Sequence, residues 1–191
     1  IENPARIRYG TMLKIPQASC SQPGPAASFD RLSTREKIAY LQQRTIPAGR
    51  PYLPMLVSLC EEFRVDPRLY AALVWEESWF DDRASSQDNC QRLVQLDPRF
   101  HEISRDVKEN FQKSLRYLRY EFTYYLKQGF DRRAATICAI AAYNGGNTRI
   151  RRFVKNGIWD GRNVDTIPIR ETREYVARVL RRCEHNYHAV L

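Results

Sequence analysis

No apolar run in this chain approaches the roughly 20 residues that a membrane-spanning helix needs. Histidine is nearly absent: the three (His101, His185 and His188) do not make a site, and the last two read as surface residues near the C-terminus. Five cysteines, Cys20, Cys60, Cys90, Cys138 and Cys183, match no zinc spacing and contain no C-x-x-C pair. No metal and no organic cofactor is therefore implied. The odd count leaves at least one thiol free or paired between chains. Cys138 and Cys183 read as small core residues, and spacing alone assigns no disulfide. There is no Gly-rich phosphate loop and no basic stretch interleaved with stacking aromatics, so nucleic acid is not the expected partner. Internal repeats are missing, and so are convincing period-two runs, which argues against a sheet protein. The chain opens on Ile1 with no charged-then-apolar leader, as expected of a processed or trimmed end.

What remains is a soluble, globular composition: 43% hydrophobic and 28% charged over 191 residues. That length suggests one domain, with room for an arm. The net charge is +9, mostly from arginine. Such a surface favours polyanions, including the acidic polymers of a bacterial envelope, but it is equally compatible with a merely solvated basic face.

Residues 1–28 hold four prolines, two of them in "SQPGPAAS", and read as an extended arm. The helical pattern starts at Ser33, which with Glu36 forms a capping-box signature for a helix reaching about Thr45. "PYLPMLVSLCEEF" predicts a second helix. Asp66 and Pro67 supply an N-cap and first turn for "PRLYAALVWEESWF". Residues 81–105 have no sustained period and read as a long loop, a feature usually tied to function. The stripe Val107, Phe111, Leu115, Leu118, Phe122 and Tyr125 marks a long helix ended by Gly129. Asp131 caps the Ala-rich "RRAATICAIAAYN". A short helix capped by Asn147 follows, then the loop "IWDGRNVDTIP". A closing helix turns Tyr175, Val176, Val179, Leu180, Cys183 and Tyr187 inward. The expected fold is all-α, with an arm over 1–28 and a helical domain over 29–191.

The third helix ends in "WEESWF", two glutamates among apolar neighbours, where carboxylates are seldom found. Glu77 shares a face with Tyr70, Leu73 and Val74, whereas Glu76 shares one with Leu69, Ala72 and Leu73. Periodicity alone does not choose between them.

"ESWFDDRAS", "AAYNGG" and "IPIRETREYVARVL" stand in order and resemble the E-S-x-F, A-Y-N-x-G and I-P-x-E-T-R-x-Y-V-x-R-V signatures of soluble lytic transglycosylases and their goose-type lysozyme relatives. Asn110, Tyr117 and Leu118 fall where that family has N-x-x-x-G-x-x-Y-L. The similarity covers roughly residues 65–185 and implies a lysozyme-like helical fold. It singles out Glu77 as the catalytic acid, and leaves Glu76 for a salt bridge. Desolvation beside Trp75, Trp79 and Phe80 would raise the pKa of Glu77 as an acid catalyst requires.

What the resemblance implies is cleavage of the β-1,4 bond between N-acetylmuramic acid and N-acetylglucosamine in peptidoglycan. One glutamate acts twice, and the product carries a 1,6-anhydromuramic end. A hydrolytic lysozyme would need a second carboxylate; Asp81, Asp82, Asp88, Asp97, Glu102 and Glu171 are candidates, and Glu171 is also a candidate structural partner of Arg173. By the same resemblance, Gln95, Tyr143, Asn144 and Tyr175 would contact sugar or approach the acid. The plainer alternatives are a core role for the two tyrosines and a helix-ending role for Asn144. Ser78 is expected to fix backbone.

One stretch departs from the family. Where A-x-S-x-x-G-A-x-G-L-M-Q is expected, this chain has "ASSQDNCQRLVQ", so Asn89 and Arg92 replace both glycines and Val94 replaces Met. Glycine there permits positive φ or close approach of sugar, and arginine does not readily adopt positive φ. The departure leaves two alternatives: an enzyme selective for de-N-acetylated wall, or an inactive relative that only binds glycan. The expected partner is the glycan strand, the expected state a monomer, and the expected location the bacterial periplasm or outside the cell.

Overall fold

The computed structural model describes residues 29–85, 91–98 and 103–189. The expected arm over 1–28 lies outside the described residues, as do Asp88, Asn89, Cys90, His101 and Glu102. The chain divides into two compact units, Ile1–Arg31 and Leu32–Leu191. The described part of the first is a single 3-10 turn, Phe29–Arg31.

The second unit is all-α: seven helices and, among the described residues, no strand. Helix α1 (Thr34–Gln42) carries the full capping box, with Ser33 accepting from the Glu36 N–H and Glu36 accepting from the Ser33 N–H. It stops short of the expected Thr45. That residue is instead buried, with its hydroxyl bonded to the Tyr187 hydroxyl at 3.0 Å. A 3-10 segment, Pro47–Tyr52, precedes α2 (Leu53–Phe63), so the second helix begins two residues after the expected start at Pro51.

Helix α3 (Pro67–Ser78) starts as its cap and proline predict, the Asp66 side chain accepting from the Arg68 N–H. Most of it is buried, from Leu69 to Trp75 without interruption. A helix apolar all round belongs in the middle of a domain, and α3 packs against both α2 and α7. Helix α4 (Val107–Lys127) buries Phe111, Leu115, Leu118 and Tyr125 of its expected stripe, and Gly129 follows it at φ 84°. Helix α5 (Arg132–Gly145) is capped by Asp131. Its alanines present little bulk, which lets α4, α6 and α7 all close on it.

Helix α6 (Asn147–Lys155) corrects one expectation. The N-cap is Gly146 at φ 82°, not Asn147. The Asn147 side chain turns away and donates to Glu121 at 3.1 Å. Helix α7 (Arg170–His185) buries Tyr175, Val176, Val179, Leu180 and Cys183, and Tyr187 beyond it is also buried. Cys60, Cys138 and Cys183 are free and buried. His185 and His188 are exposed, as expected. Between α3 and α4 the described residues form turns and two isolated bridges, Ser85 with Gln91 and Gln91 with Leu96. No described helix is long and apolar enough to cross a membrane.

Candidate active site

The last turn of α3 delivers both glutamates to α7, and successive residues point in different directions there. Glu76 goes outward along α7. Its Oε2 accepts from Arg178 Nε at 2.9 Å and its Oε1 from Arg182 Nε at 2.9 Å, with a second contact from Arg182 Nη2. Only 7% of the Glu76 side chain is exposed. It is thus the salt-bridged member of the pair, as expected.

Glu77 goes inward and is half-buried. Among the described residues its one bonded partner is the Tyr175 hydroxyl, which donates to Oε1. Burial pushes the carboxyl from its ordinary 4.5 up to about 8, and the charge of Glu76 adds to the rise, while the Tyr175 hydrogen bond works against it. A carboxyl leaving water without a cation gives up its charge first. Burial also holds the Tyr175 phenol well above its usual range, with the charge of Glu77 the next cause, so this phenol stays a donor.

The rings expected around Glu77 are placed unequally. Trp75 and Phe80 are buried. Trp79 is not: at 61% exposure it contributes little desolvation. It caps α3 at φ 55°, packs edge-on to Trp75 at 6.2 Å and lies beneath Arg182. Phe80 follows at φ 60° and sits against Gly49, where a Cβ would come within 2.7 Å of its ring. Two successive left-handed residues end the helix abruptly and turn the chain into the loop. Ser78 spans that turn, donating to the Val74 carbonyl at 3.3 Å and the Leu93 carbonyl at 2.8 Å. Its role is backbone fixation, as expected.

Tyr143 and Asn144 end α5 beside this turn. The Tyr143 hydroxyl donates to the Val94 carbonyl at 2.8 Å and bonds the Ser114 hydroxyl at 2.8 Å. It ties the loop to α4 and α5, which is the plainer of its two readings. Asn144 is exposed, and its Oδ1 accepts from the Thr172 hydroxyl at 2.8 Å. That bond fixes the amide of an exposed residue through its oxygen. Gly145 allows the approach, since a Cβ there would meet Thr172 Oγ1 at 2.8 Å. Thr172 and Ser114, both buried, are the positioning residues that sequence reasoning missed. Their only sequence signal was proximity to matched motifs.

Gln95 turns its amide into its own loop, Nε2 donating to the Arg92 carbonyl at 2.7 Å and the Ala84 carbonyl at 3.1 Å. Arg92 takes φ 66° after all. The left-handed backbone that glycine would supply is thus kept by a bulkier residue, at a cost of about 1–2 kcal/mol. The Arg92 N–H donates to the Ala84 carbonyl at 2.8 Å, and its guanidinium pairs with Asp82 at 3.0 Å. Glu171 is exposed in the first turn of α7, and Arg173 Nε donates instead to the Ile167 carbonyl at 2.9 Å. The expected Glu171–Arg173 pair does not form. No group of side chains able to hold a metal ion occurs among the described residues.

The site is therefore a single uncharged-leaning carboxyl where α3, α5 and α7 meet, within a lysozyme-like all-helical fold. Residues 58–164, more than half of the chain, match the family described as the transglycosylase SLT domain, and the chain belongs to that family. The match ends before α7, so the stretch carrying Tyr175 lies outside it. Among solved structures the fold is similar to that of an inactive mutant of lytic transglycosylase Slt from Pseudomonas aeruginosa, with TM-score 0.53 and 24% identity over 68% of this chain. The chain covers 22% of the length of that protein. Comparison with curated proteins gives no match.

Proposed function

We propose that this chain cleaves the β-1,4 bond between N-acetylmuramic acid and N-acetylglucosamine in peptidoglycan, as a lytic transglycosylase with Glu77 as general acid and then base. The observation that carries the reading is the half-buried Glu77, raised to about 8 and bonded to the Tyr175 hydroxyl. Such a carboxyl keeps its proton at neutral pH. Tyr175 occupies Oε1, so the proton resides on Oε2 and passes from there to the leaving glycosidic oxygen as the C1–O bond breaks. The muramic C6 hydroxyl then attacks C1, and its proton returns to Glu77. The phenol steadies the carboxylate between the two transfers.

The engagement of described carboxylates close to Glu77 in sequence supports an intramolecular attack over a hydrolytic one. Glu76 is occupied by two guanidiniums and is poorly disposed to hold a water. Asp82 is engaged by Arg92, and Asp81 accepts from the Arg83 N–H at 2.9 Å. The exposed Asn144, its Oδ1 held by Thr172, offers its amide N–H to a sugar acceptor. Glycan strands are the substrate, and the periplasm or cell exterior is where the chain would meet them.

Mass analysis of digested sacculi tests the proposal. Anhydromuramic ends are expected. Reducing ends would make the chain a hydrolase, and an absence of fragments would make it a binder. Glu77→Gln is expected to remove whichever product appears.

A further inference from the structure

Glu76 is not idle beside the acid. Its side chain is almost entirely enclosed, yet it lies one residue from a carboxyl that must not share its charge. Two arginines one helical turn apart on α7 hold it, through Arg178 Nε and Arg182 Nε, each at 2.9 Å. Arg182 itself lies over two rings, its guanidinium carbon 4.1 Å from the centre of the Trp75 ring and 5.5 Å from that of Trp79. The same helix α7 carries Tyr175, the hydrogen-bond partner of Glu77. The last turn of α3, the face of α7 from 175 to 182 and the Trp75 indole are thus joined through this cluster.

We infer that Glu76, clamped by Arg178 and Arg182, is a positioning residue that locks the end of α3 to α7 and so sets the contact between Glu77 and Tyr175. The inference deepens the reading of Glu77 as the acid and rests on it. A carboxylate held by a different arginine on each oxygen resists sliding better than an apolar contact does, because its hydrogen bonds have direction. Loosening it lets α3 and α7 shift by a fraction of an ångström. Misplacement of that order at a proton donor costs rate without loss of binding. The cluster also acts through charge. Glu77 faces Glu76 and Tyr70 on α3 and Tyr175 on α7, with Tyr143 of α5 near both tyrosines. Beyond Glu76 stand the two arginines. Deleting the charge of Glu76 leaves them unopposed and eases ionisation of Glu77. Deleting the charge of Arg182 does the reverse.

The test compares wild type with Glu76→Gln and Arg182→Gln, each over a pH series on purified sacculi, with thermal melting to correct for folded fraction. Both variants are expected to lose about tenfold in kcat with KM little changed. The alkaline limb of activity should move to lower pH in Glu76→Gln and to higher pH in Arg182→Gln. Losses that only track the folded fraction, or limbs that stay in place or move together, overturn the inference. A second readout is independent of turnover: carbon NMR titration of the Glu77 carboxyl in all three proteins. If wild type makes no fragments, the reading of Glu77 as an acid fails, but the clamp still stands if the Glu77 titration moves in opposite directions in the two variants. It falls if the titration does not move.

Discussion

Glu77 at the end of α3 and Glu121 in the middle of α4 both leave solvent on folding, but in different company. Glu121 is fully enclosed. Arg151 of α6 grips it with two bonds, Nη2 to Oε1 at 2.8 Å and Nε to Oε2 at 3.2 Å, and Asn147 adds a third. The rings of Tyr124 and Tyr120 lie over the same guanidinium, at 3.8 and 5.3 Å. Among the described residues Glu77 has one phenol and no cation as partner. Burial by itself therefore does not mark a catalytic carboxyl. The partner decides: a guanidinium satisfies the carboxylate and makes a joint between helices, while burial without a guanidinium pushes Glu77 to keep its proton, against the opposing pull of its phenol. Glu76 makes the same point one residue away, since its two arginines turn it into a joint as well.

The largest expected effect separates the two carboxyls by chemistry. Glu77→Gln should lower the rate of anhydromuramic product release by about 10²–10⁴-fold, the usual span for a general acid. The same variant sharpens the comparison through stability. The carboxyl titrates near 4.5 ordinarily and about 8 in the fold, so between those values the native state holds a proton that the unfolded chain has released. Native stability should fall as pH rises through that window. In Glu77→Gln that fall should be missing, so melting temperature should exceed wild type by a margin that grows from about pH 5 to about pH 8. A constant margin would contradict the burial of a neutral carboxyl.

Breaking the other joint should do the opposite. Arg151→Leu strands Glu121 without its cation and should cost about 3 kcal/mol or more in denaturant unfolding, with the pH limbs of the remaining activity unmoved. Tyr175→Phe removes the bond that holds the Glu77 value down, so the alkaline limb should move up in pH, with a loss in kcat of about tenfold. Smallest of all, Arg92→Gly relieves a left-handed backbone but gives up the Asp82 pair. The two changes oppose each other, and unfolding should shift by less than about 1 kcal/mol.

Much of this was legible in the chain itself. Asp66, Asp131 and the Ser33–Glu36 box announced three helix starts because capping is local: a side chain satisfies an N–H two or three residues on. The stripes of α4 and α7 announced their buried faces for a similar reason. Asn147 misled because an asparagine just before a helical stretch normally caps it, and only the fold shows the distant carboxylate that claims its amide. Trp79 misled because hydrophobicity does not say which ring is covered. Arg92 was expected to resist positive φ; a carbonyl 8 residues back and a carboxylate across the loop hold it there.

The sequence by itself determined the all-α class, most helix boundaries and the family, since these depend on period, caps and ordered motifs. It also narrowed the acid to a pair of neighbours. Tertiary structure alone decided which fate each neighbour met. That fate is set by what lies within a few ångströms in space, and the bonded groups are Arg178 and Arg182 for Glu76 and Tyr175 for Glu77, about a hundred positions further along the chain.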